Sequence, residues 1–351
     1  MPEIPNILGN FKSQIVGYSA EAVMLILREY ADAIRRIQQD LDQLSRVIEQ
    51  LKAQNRIVSE NDIFTQLRYR QFLNQLRQEM RDYATFVTDV VSFSQREAIA
   101  SAFAQTEAIM AAAYRDLPKG MLQSFTRFDE FAVRNIVFRL NNESYLRTLT
   151  RQFEQHAVLA VKNTLIDGVI TGRSIKEIKH EFVTQLDIVP TRAETIARTE
   201  IISAYRDANL ERYRHSSAVK GWQWSATLDH RTCAMCIAMD GQVFPLSVPF
   251  ATHPSCRCSP IPVLYTFQEL GLGYLGLQEP VPPDFGKRGE EWFKSQPLSV
   301  QENILGKSKF ELYRTNQINL QDLVQEFRHP VYGASRQERS IRSMRSLQIV
   351  K

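Results

Sequence analysis

Apolar residues from Val23 onward recur in alternating steps of four and three: Val23, Leu27, Tyr30, Ile34, Ile37, Leu41, Leu44, Ile48 and Leu51. A heptad seam of this kind lays one apolar stripe along a long helix, and Ser19 is placed to cap its start. The pattern breaks in KAQNRIVSEND, residues 52–62. A second stripe follows at Tyr69, Leu73, Leu76, Met80, Tyr83, Val87 and Val90, with Ser59 and Asp62 suited to its first turn. Two amphipathic helices on a short connection are expected to fold back as an antiparallel pair. The stripes do not name what covers them, each other and the rest of the chain or a partner.

Helical patterning continues through SQREAIASAFAQTEAIMAAAYRDLPKG, which stops at Pro118 and Gly120. ESYLRTLTRQFEQHAVLAVKNTLIDGVITG reads as another helix ending near Gly172. Ser174 with Glu177, and Thr191 with Glu194 just after Pro190, have the spacing of capping boxes that open two further helices. On the second of these, Arg198, Glu200 and Arg206 have helical spacing for ion pairs. His156, His180 and His215 are isolated on helices and read as surface or core-edge residues.

After residue 217 the period changes to two. AVKGWQWSAT puts Trp222, Trp224 and Ala226 on one face of a short strand. GQVFPL, opened by the turn residue Gly241, reads as a second strand. SPIPVLY reads as an edge strand, because its prolines cannot donate ladder hydrogen bonds. Beyond it EPVPPDFGKRGEEW is a proline-rich linker. Short helices are expected around PLSVQENIL, ending at Gly306, around KFELYRTN and around NLQDLVQEF. The tail spaces Arg336, Arg339, Arg342 and Arg345 by three, a cationic stripe if helical. The fold class is therefore mainly α with a small α+β module. An N-terminal helical hairpin occupies 1–117, a central region with a β-rich Cys/His module at 218–265 occupies 118–265, and a linker, short helices and basic tail occupy 266–351.

The composition adds little to this. At 351 residues, 44% hydrophobic and 23% charged, the chain has room for two or three domains. A net charge of +4 is too small for the whole surface to bind nucleic acid, so any basic patch is local. No apolar run approaches the ~20 residues that cross a bilayer, and the first residues lack the pattern of a secretory signal. A reducing cytoplasm is the expected setting, which counts against structural disulfides.

Within that setting the cysteines carry the chemistry. All four lie between Cys233 and Cys258, as Cys-x2-Cys and then, 16 residues later, His-x2-Cys-x-Cys. A two-residue gap lets a tight turn bring two ligands onto one ion at ~2.3 Å. Cys233, Cys236, His253 and Cys256 form the preferred set for a structural zinc ion, with Cys258 able to replace His253 or Cys256. Two disulfides or free thiols are the alternatives. Arg231 and Arg257 beside the sulfurs would favour thiolates. A catalytic zinc is disfavoured. The His-x-Glu and Pro-Cys-x-x-Cys of zinc deaminases are missing, as is the His-Glu-x-x-His of helical metalloproteases, and four protein ligands leave no open position.

RAETIARTEIISAYRDAN, GWQWSATLDHRTCAMCIAMDGQVF and HPSCRCSPIPV together resemble the phage head morphogenesis family, the Mu F-like minor head proteins. The matching residues are Arg192, Glu194, Ile196 to Glu200, Trp224, Asp229, Arg231, Cys233, Cys236, Asp240, Gly241 and His253 to Cys258, within roughly Thr191 to Val263. The stretch from Glu290 to Val324, with ERSIRSM near the C-terminus, also looks like the C-terminal part of phage versions; the N-terminal hairpin carries no matching motif. The resemblance implies a non-enzymatic minor component of a tailed-phage head. Such a protein would act in procapsid assembly at the portal vertex and could leave with the DNA. It would be located in the virion interior, and in the host cytoplasm during assembly. The expected partners are the portal and other capsid proteins, with packaged double-stranded DNA a candidate for Arg336, Arg339, Arg342 and Arg345, no membrane, and self-association open to the helical arm. Two rivals stand beside this reading: a metal-dependent nuclease using Asp229, His230 and His253, and a non-catalytic DNA-binding module.

Overall fold

The computed structural model describes residues 3–53, 59–118, 120–121, 143–171, 173–279, 288–329 and 333–350. The fold is mainly α with a small α+β part. By packing, the chain forms two compact units, each drawn from separated stretches rather than from the sequential division at 117 and 265. One takes residues 17–96 and 139–201; the other takes 1–16, 97–138 and 202–351. The proline-rich linker lies largely outside the described residues, and so does Gly172.

The 17–96/139–201 unit contains the hairpin. α1 (Glu3–Ala53) and α3 (Leu67–Ala113) are 51 and 47 residues long. Their segments in this unit run antiparallel: the rings of Tyr30 and Tyr83 are 5.3 Å apart, and Arg36 Nε donates to Glu79 at 2.8 Å. Val23, Tyr30, Ile37, Leu41, Leu44 and Ile48 are buried, as are Tyr69, Leu76, Met80, Tyr83 and Val87. Leu27 is 40% exposed, and Ile26 and Ala33 are buried in its place. A straight helix with 3.6 residues per turn drifts away from a 3.5-residue seam, which rotates Leu27 outward.

Two N-terminal assignments change. Ser19 is a buried interior residue of α1, not its cap, because the apolar stripe extends back through Ile15, Leu8 and Ile4. Ser59 and Asp62 do form a capping box, but on the five-residue α2 (Glu60–Phe64), ahead of α3.

Residues 143–201 supply the rest of this unit. α4 (Glu143–Thr150), α5 (Gln152–Ala160), a π-helical turn (Val161–Ile166) and α6 (Asp167–Ile170) follow one another. α7 (Ile175–Leu186) opens with the expected Ser174–Glu177 box. Phe153 packs on Tyr83 and Phe182 on Phe72, with ring centroids 5.6 and 6.0 Å apart. α8 (Ile188–Arg214) starts before the expected Thr191 box. Pro190 sits in its first turn, where a missing N–H needs no partner. Thr191 Oγ1 instead donates to the Asp187 carbonyl at 3.0 Å, one turn back.

The other unit is built on a three-stranded antiparallel sheet, ordered β2-β1-β3. β1 (Val219–Ser225) is central, β2 is Val243–Phe244 and β3 is Ser259–Leu264. β3 is an edge, as its prolines require; Pro260 and Pro262 stand opposite Trp224 and Trp222. The Pro260 carbonyl accepts from the Tyr213 hydroxyl at 3.3 Å, so this residue's backbone groups face away from β1. α9 (Ala234–Met239) lies between β1 and β2 and is wholly buried.

The C-terminal part adds α10 (Arg288–Ser295), α11 (Leu298–Leu305) and α12 (Lys307–Arg314). The expected NLQDLVQEF helix is instead a 3₁₀ turn (Leu320–Leu323) followed by β4 (Val324–His329), which pairs with β5 (Gly333–Glu338). Asn319 and Asp322 cap only that turn. The four tail arginines therefore share no helical stripe. Arg336 lies on β5, and its Nε donates to Glu326 at 2.8 Å across the hairpin. Arg339 donates to the carbonyls of Asp322 and Val324 at 2.9 and 2.7 Å. Arg342 and Arg345 are exposed on α13 (Ile341–Ser346).

Gly289 of α10 meets α9 at close range: a Cβ there would lie 2.2 Å from the Ile237 carbonyl oxygen and 2.8 Å from Asp240 Cβ. Gly289→Ala is expected to destabilise the protein by about 1–3 kcal/mol through overpacking. Gly17→Ala, with open space around its Cβ, should instead stabilise it by roughly 0.5–1 kcal/mol. Denaturant titration of both variants checks the contrast.

Candidate metal centre

The Cys/His residues come together on two turns that flank the sheet. Cys233 is the N-cap of α9, with extended backbone, and Cys236 follows on the helix's first turn. The second turn, residues 253–258, leads into β3. Ser255 adopts a left-handed backbone there (φ 57°), which tightens the turn.

His253 Nε2 lies 3.3 Å from Cys233 Sγ and 3.4 Å from Cys236 Sγ, and Cys236 Sγ lies 3.6 Å from Cys256 Sγ. The ligand atoms of Cys233, Cys236 and His253 are within 4.8 Å of one another, and so are those of Cys236, Cys256 and Cys258. Cys236 is common to both triads. All four cysteines are free thiols, in contrast to the disulfide alternative; a bond would need sulfurs ~2.05 Å apart.

His253 Nδ1 is 2.8 Å from the Pro254 carbonyl. A carbonyl only accepts, so Nδ1 carries the proton and Nε2 is left to face the sulfurs, the arrangement typical of a metal-ligating histidine. A tetrahedral ion with sulfur arms of ~2.3 Å and a nitrogen arm of ~2.0 Å has S···S edges of ~3.8 Å and S···N edges of ~3.5 Å. The separations of 3.3, 3.4 and 3.6 Å are near three of the six such edges, while the four residues do not all lie within 4.8 Å of one another.

Hydrogen bonds among the sulfurs divide the protons unevenly: Cys233 and Cys256 are lowered, and Cys236, Cys258 and His253 are raised. Hydrogen bonding with Cys236 brings the Cys233 thiol down to about 5, against the effect of burial and with help from His253. Cys236, among three other thiols, is held well above the ordinary thiol range. Burial opposes ionisation of Cys256, but contacts with Cys236 and Cys258 and the charge of Arg206 outweigh it, and its pKa falls well below the ordinary value. Burial likewise opposes the His253 imidazolium, yet the neighbouring Cys233 and Cys256 sulfurs raise it to about 11.

Three side chains hold this geometry. Arg206, on α8 and 2% exposed, donates from Nε to the Cys258 carbonyl at 2.7 Å and from Nη2 to the Cys256 carbonyl at 2.5 Å. Its guanidinium carbon stands 5.0 Å from the centroid of the Phe250 ring. Arg257 forks onto both oxygens of Asp229, at 2.5 and 2.6 Å. This tie joins the two ligand turns and holds the Asp229 carboxyl well below the usual carboxylate range. Lys12, on α1, donates to the Ser225 carbonyl, the Ser225 hydroxyl and the Ala226 carbonyl at 3.2, 2.8 and 3.3 Å. Burial lowers the Lys12 ammonium to about 8, opposed by the charges of Cys258 and Asp240. A small pocket of about 30 Å³ opens onto the cluster, lined by Thr227, Arg231 and Ser255 together with His253 and all four cysteines.

All five sequence-derived ligand candidates meet here. Arg257 is committed to Asp229 rather than to the sulfurs, and the Arg231 side chain is mostly exposed, 4.0 Å from Asp229. Arg198 pairs with Glu194 at 2.8 Å. Spacing alone missed the roles of Arg206 and Lys12. For Arg206 a signal existed, since it shares a helix face with buried Ile202, Tyr205, Asn209 and Tyr213. His180 and His215 are exposed, and among the described residues neither they nor His156 fall in a group of potential metal ligands.

Comparison with known proteins bears out the resemblance over part of the chain. Residues 160–261 match the sequence family described as Phage Mu protein F like protein. An uncharacterized protein of Haemophilus influenzae is 32% identical over 111 residues, 30% of this chain and 24% of the relative. The chain thus spans about a quarter of the length of the curated relative it matches. No solved structure matches the chain.

Arg206→Leu removes both donors to the ligand turn and is expected to cost roughly 3 kcal/mol, with Arg206→Lys recovering only part of it. Denaturation monitored by tryptophan fluorescence reads the loss, because Trp222 and Trp224 are buried in the same hydrophobic cluster as Cys256 and Cys258. A double-mutant cycle between Asp229→Ala and Arg257→Ala should give a coupling of about 1 kcal/mol for this partly exposed bidentate pair.

Proposed function

We propose that this chain is a non-catalytic structural component of a tailed-phage head, acting in head morphogenesis, and that its Cys/His module is stapled by one zinc ion. The observation that carries the family reading is the match over residues 160–261, which includes α8 and every residue of the cluster. The observation that supports the metal is the convergence of His253 on Cys233 and Cys236, and of Cys236 on Cys256, at 3.3 to 3.6 Å. Bound there, zinc would supply cross-linking free energy to a module whose sheet has only three strands. Cys258, whose carbonyl is held by Arg206, lies outside this preferred set.

The nuclease reading finds less support. Its candidate carboxylate, Asp229, has both oxygens engaged by Arg257 and also accepts from the Arg231 backbone N–H at 2.9 Å. Docking to protein is favoured over docking to duplex DNA, since Arg336 and Arg339 are engaged within the chain. A portal-vertex position, and departure with the DNA, belong to this same proposal. Among the described residues no helix is long and apolar enough to cross a membrane, in keeping with a head component.

Protein purified without added metal should contain about one zinc per chain by elemental analysis, and Cys233→Ser should lose it. Fully folded, metal-free wild-type protein would overturn the zinc site. Mass spectrometry of purified particles from a phage encoding this chain should find it in low copy number, and a nonsense allele should leave defective heads. Normal infectious particles lacking the chain would sink the head assignment. Metal-dependent DNA cleavage abolished by His253→Ala would restore the nuclease.

A further inference from the structure

The cluster has two chemically different ends that meet at Cys236. At one end stand Cys233 and His253, both half-buried. At the other end the donors are all sulfur: Cys236, Cys256 and Cys258 are 2%, 3% and 2% exposed, and their sulfurs lie within 4.8 Å of one another. These three belong to a hydrophobic cluster that also contains Trp224, Met235, Met239 and Phe250. A structural zinc site needs four ligands, and this chain places a fifth beside them. Each of these three sulfurs is a soft, polarisable donor, and the three converge on one point.

We propose that Cys236, Cys256 and Cys258 form a second, all-sulfur coordination pocket that takes a soft monovalent cation of the Cu(I) class, in competition with zinc. The inference extends the zinc reading, with which it shares Cys236 and Cys256. Imidazole and thiolate together suit zinc; thiolates alone favour Cu(I). A monovalent d¹⁰ ion is satisfied by three sulfurs, so it needs neither Cys233 nor His253. Three thiolates around a single positive charge leave an excess of negative charge in a buried place, which demands a nearby cation. Arg206 is that cation: its guanidinium is buried and bonded to the carbonyls of Cys256 and Cys258, at the sulfur end of the cluster. The same two bonds fix the spacing of the Cys-x-Cys turn before any ion arrives. Because two sulfurs are shared, one chain holds zinc or the soft ion, not both.

The test is a pair of anaerobic titrations of metal-free protein, one with Cu(I) buffered by a chromophoric chelator and one with Zn(II) buffered in the same way. Wild-type protein should take about one equivalent of either ion. Cys258→Ser should weaken Cu(I) binding by about tenfold or more and leave zinc binding nearly unchanged. His253→Ala should do the reverse. Cys258→Ala serves as a second variant, and circular dichroism of each confirms the fold. The proposal is overturned if wild-type protein fails to hold Cu(I) against the chelator, or if Cys258→Ser and Cys258→Ala weaken both ions alike. Failure of the zinc titration alone would remove the zinc staple and leave the sulfur pocket standing.

Discussion

The guanidinium of Arg206 is the point on which the cysteine module turns. It leaves α8 on a buried face, lies against Phe250 and closes on the carbonyls of Cys256 and Cys258, on either side of Arg257. A short loop ahead of an edge strand has few ways to satisfy its backbone in a buried place. Here a helix side chain provides both donors, and the rigidity of the long helix passes to the loop. Arginine is suited to this because its fork is planar and remains charged when buried. The Cys256 and Cys258 backbone thus owes its position to the protein itself.

Around that contact the module is knit by polar ties of unequal strength. The Asp229–Arg257 fork joins the two ligand turns, and Gly241, with φ 80°, allows the chain to leave α9 toward β2 by a left-handed turn. Its N–H donates to the Trp224 carbonyl at 2.8 Å, and the Trp224 N–H donates to the Gln242 carbonyl at 2.8 Å, so the turn is stitched to β1. Asp240 accepts from the Ala226 N–H at 2.8 Å at the same corner. The Asp240–Gly241 pair therefore serves the backbone of this corner.

Much of this was legible in the sequence, for reasons that can be named. Heptad spacing gave the long hairpin because burial on one side of a helix leaves a strong periodic trace, and the cysteine spacing gave the cluster because chelation restricts loop length. The prolines of β3 marked an edge strand because the missing N–H has only one tolerable direction. Where reading failed, local signals competed with more distant packing. Thr191 has the residues of a cap, yet Pro190 fits one turn into α8. NLQDLV has a capping box, but Phe327 and Val324 lie in a cross-strand ladder with β5. The three-residue spacing of the tail arginines implied a helix that the hairpin interrupts. Lys12 left no local trace, since its acceptors lie more than two hundred positions away.

That distance has its own consequence for biosynthesis. Lys12 meets Ser225 and Ala226 across sequence separations of 213 and 214, and β1 is not flanked on both sides until β3 has been made. Lys12 must therefore wait, without these partners, until more than two hundred further residues have been translated. Contacts of such separation pay a large loop-closure entropy before they gain anything. Early assembly falls to the local hairpin pairing of α1 with α3, and the nascent chain completes its cysteine-bearing unit last.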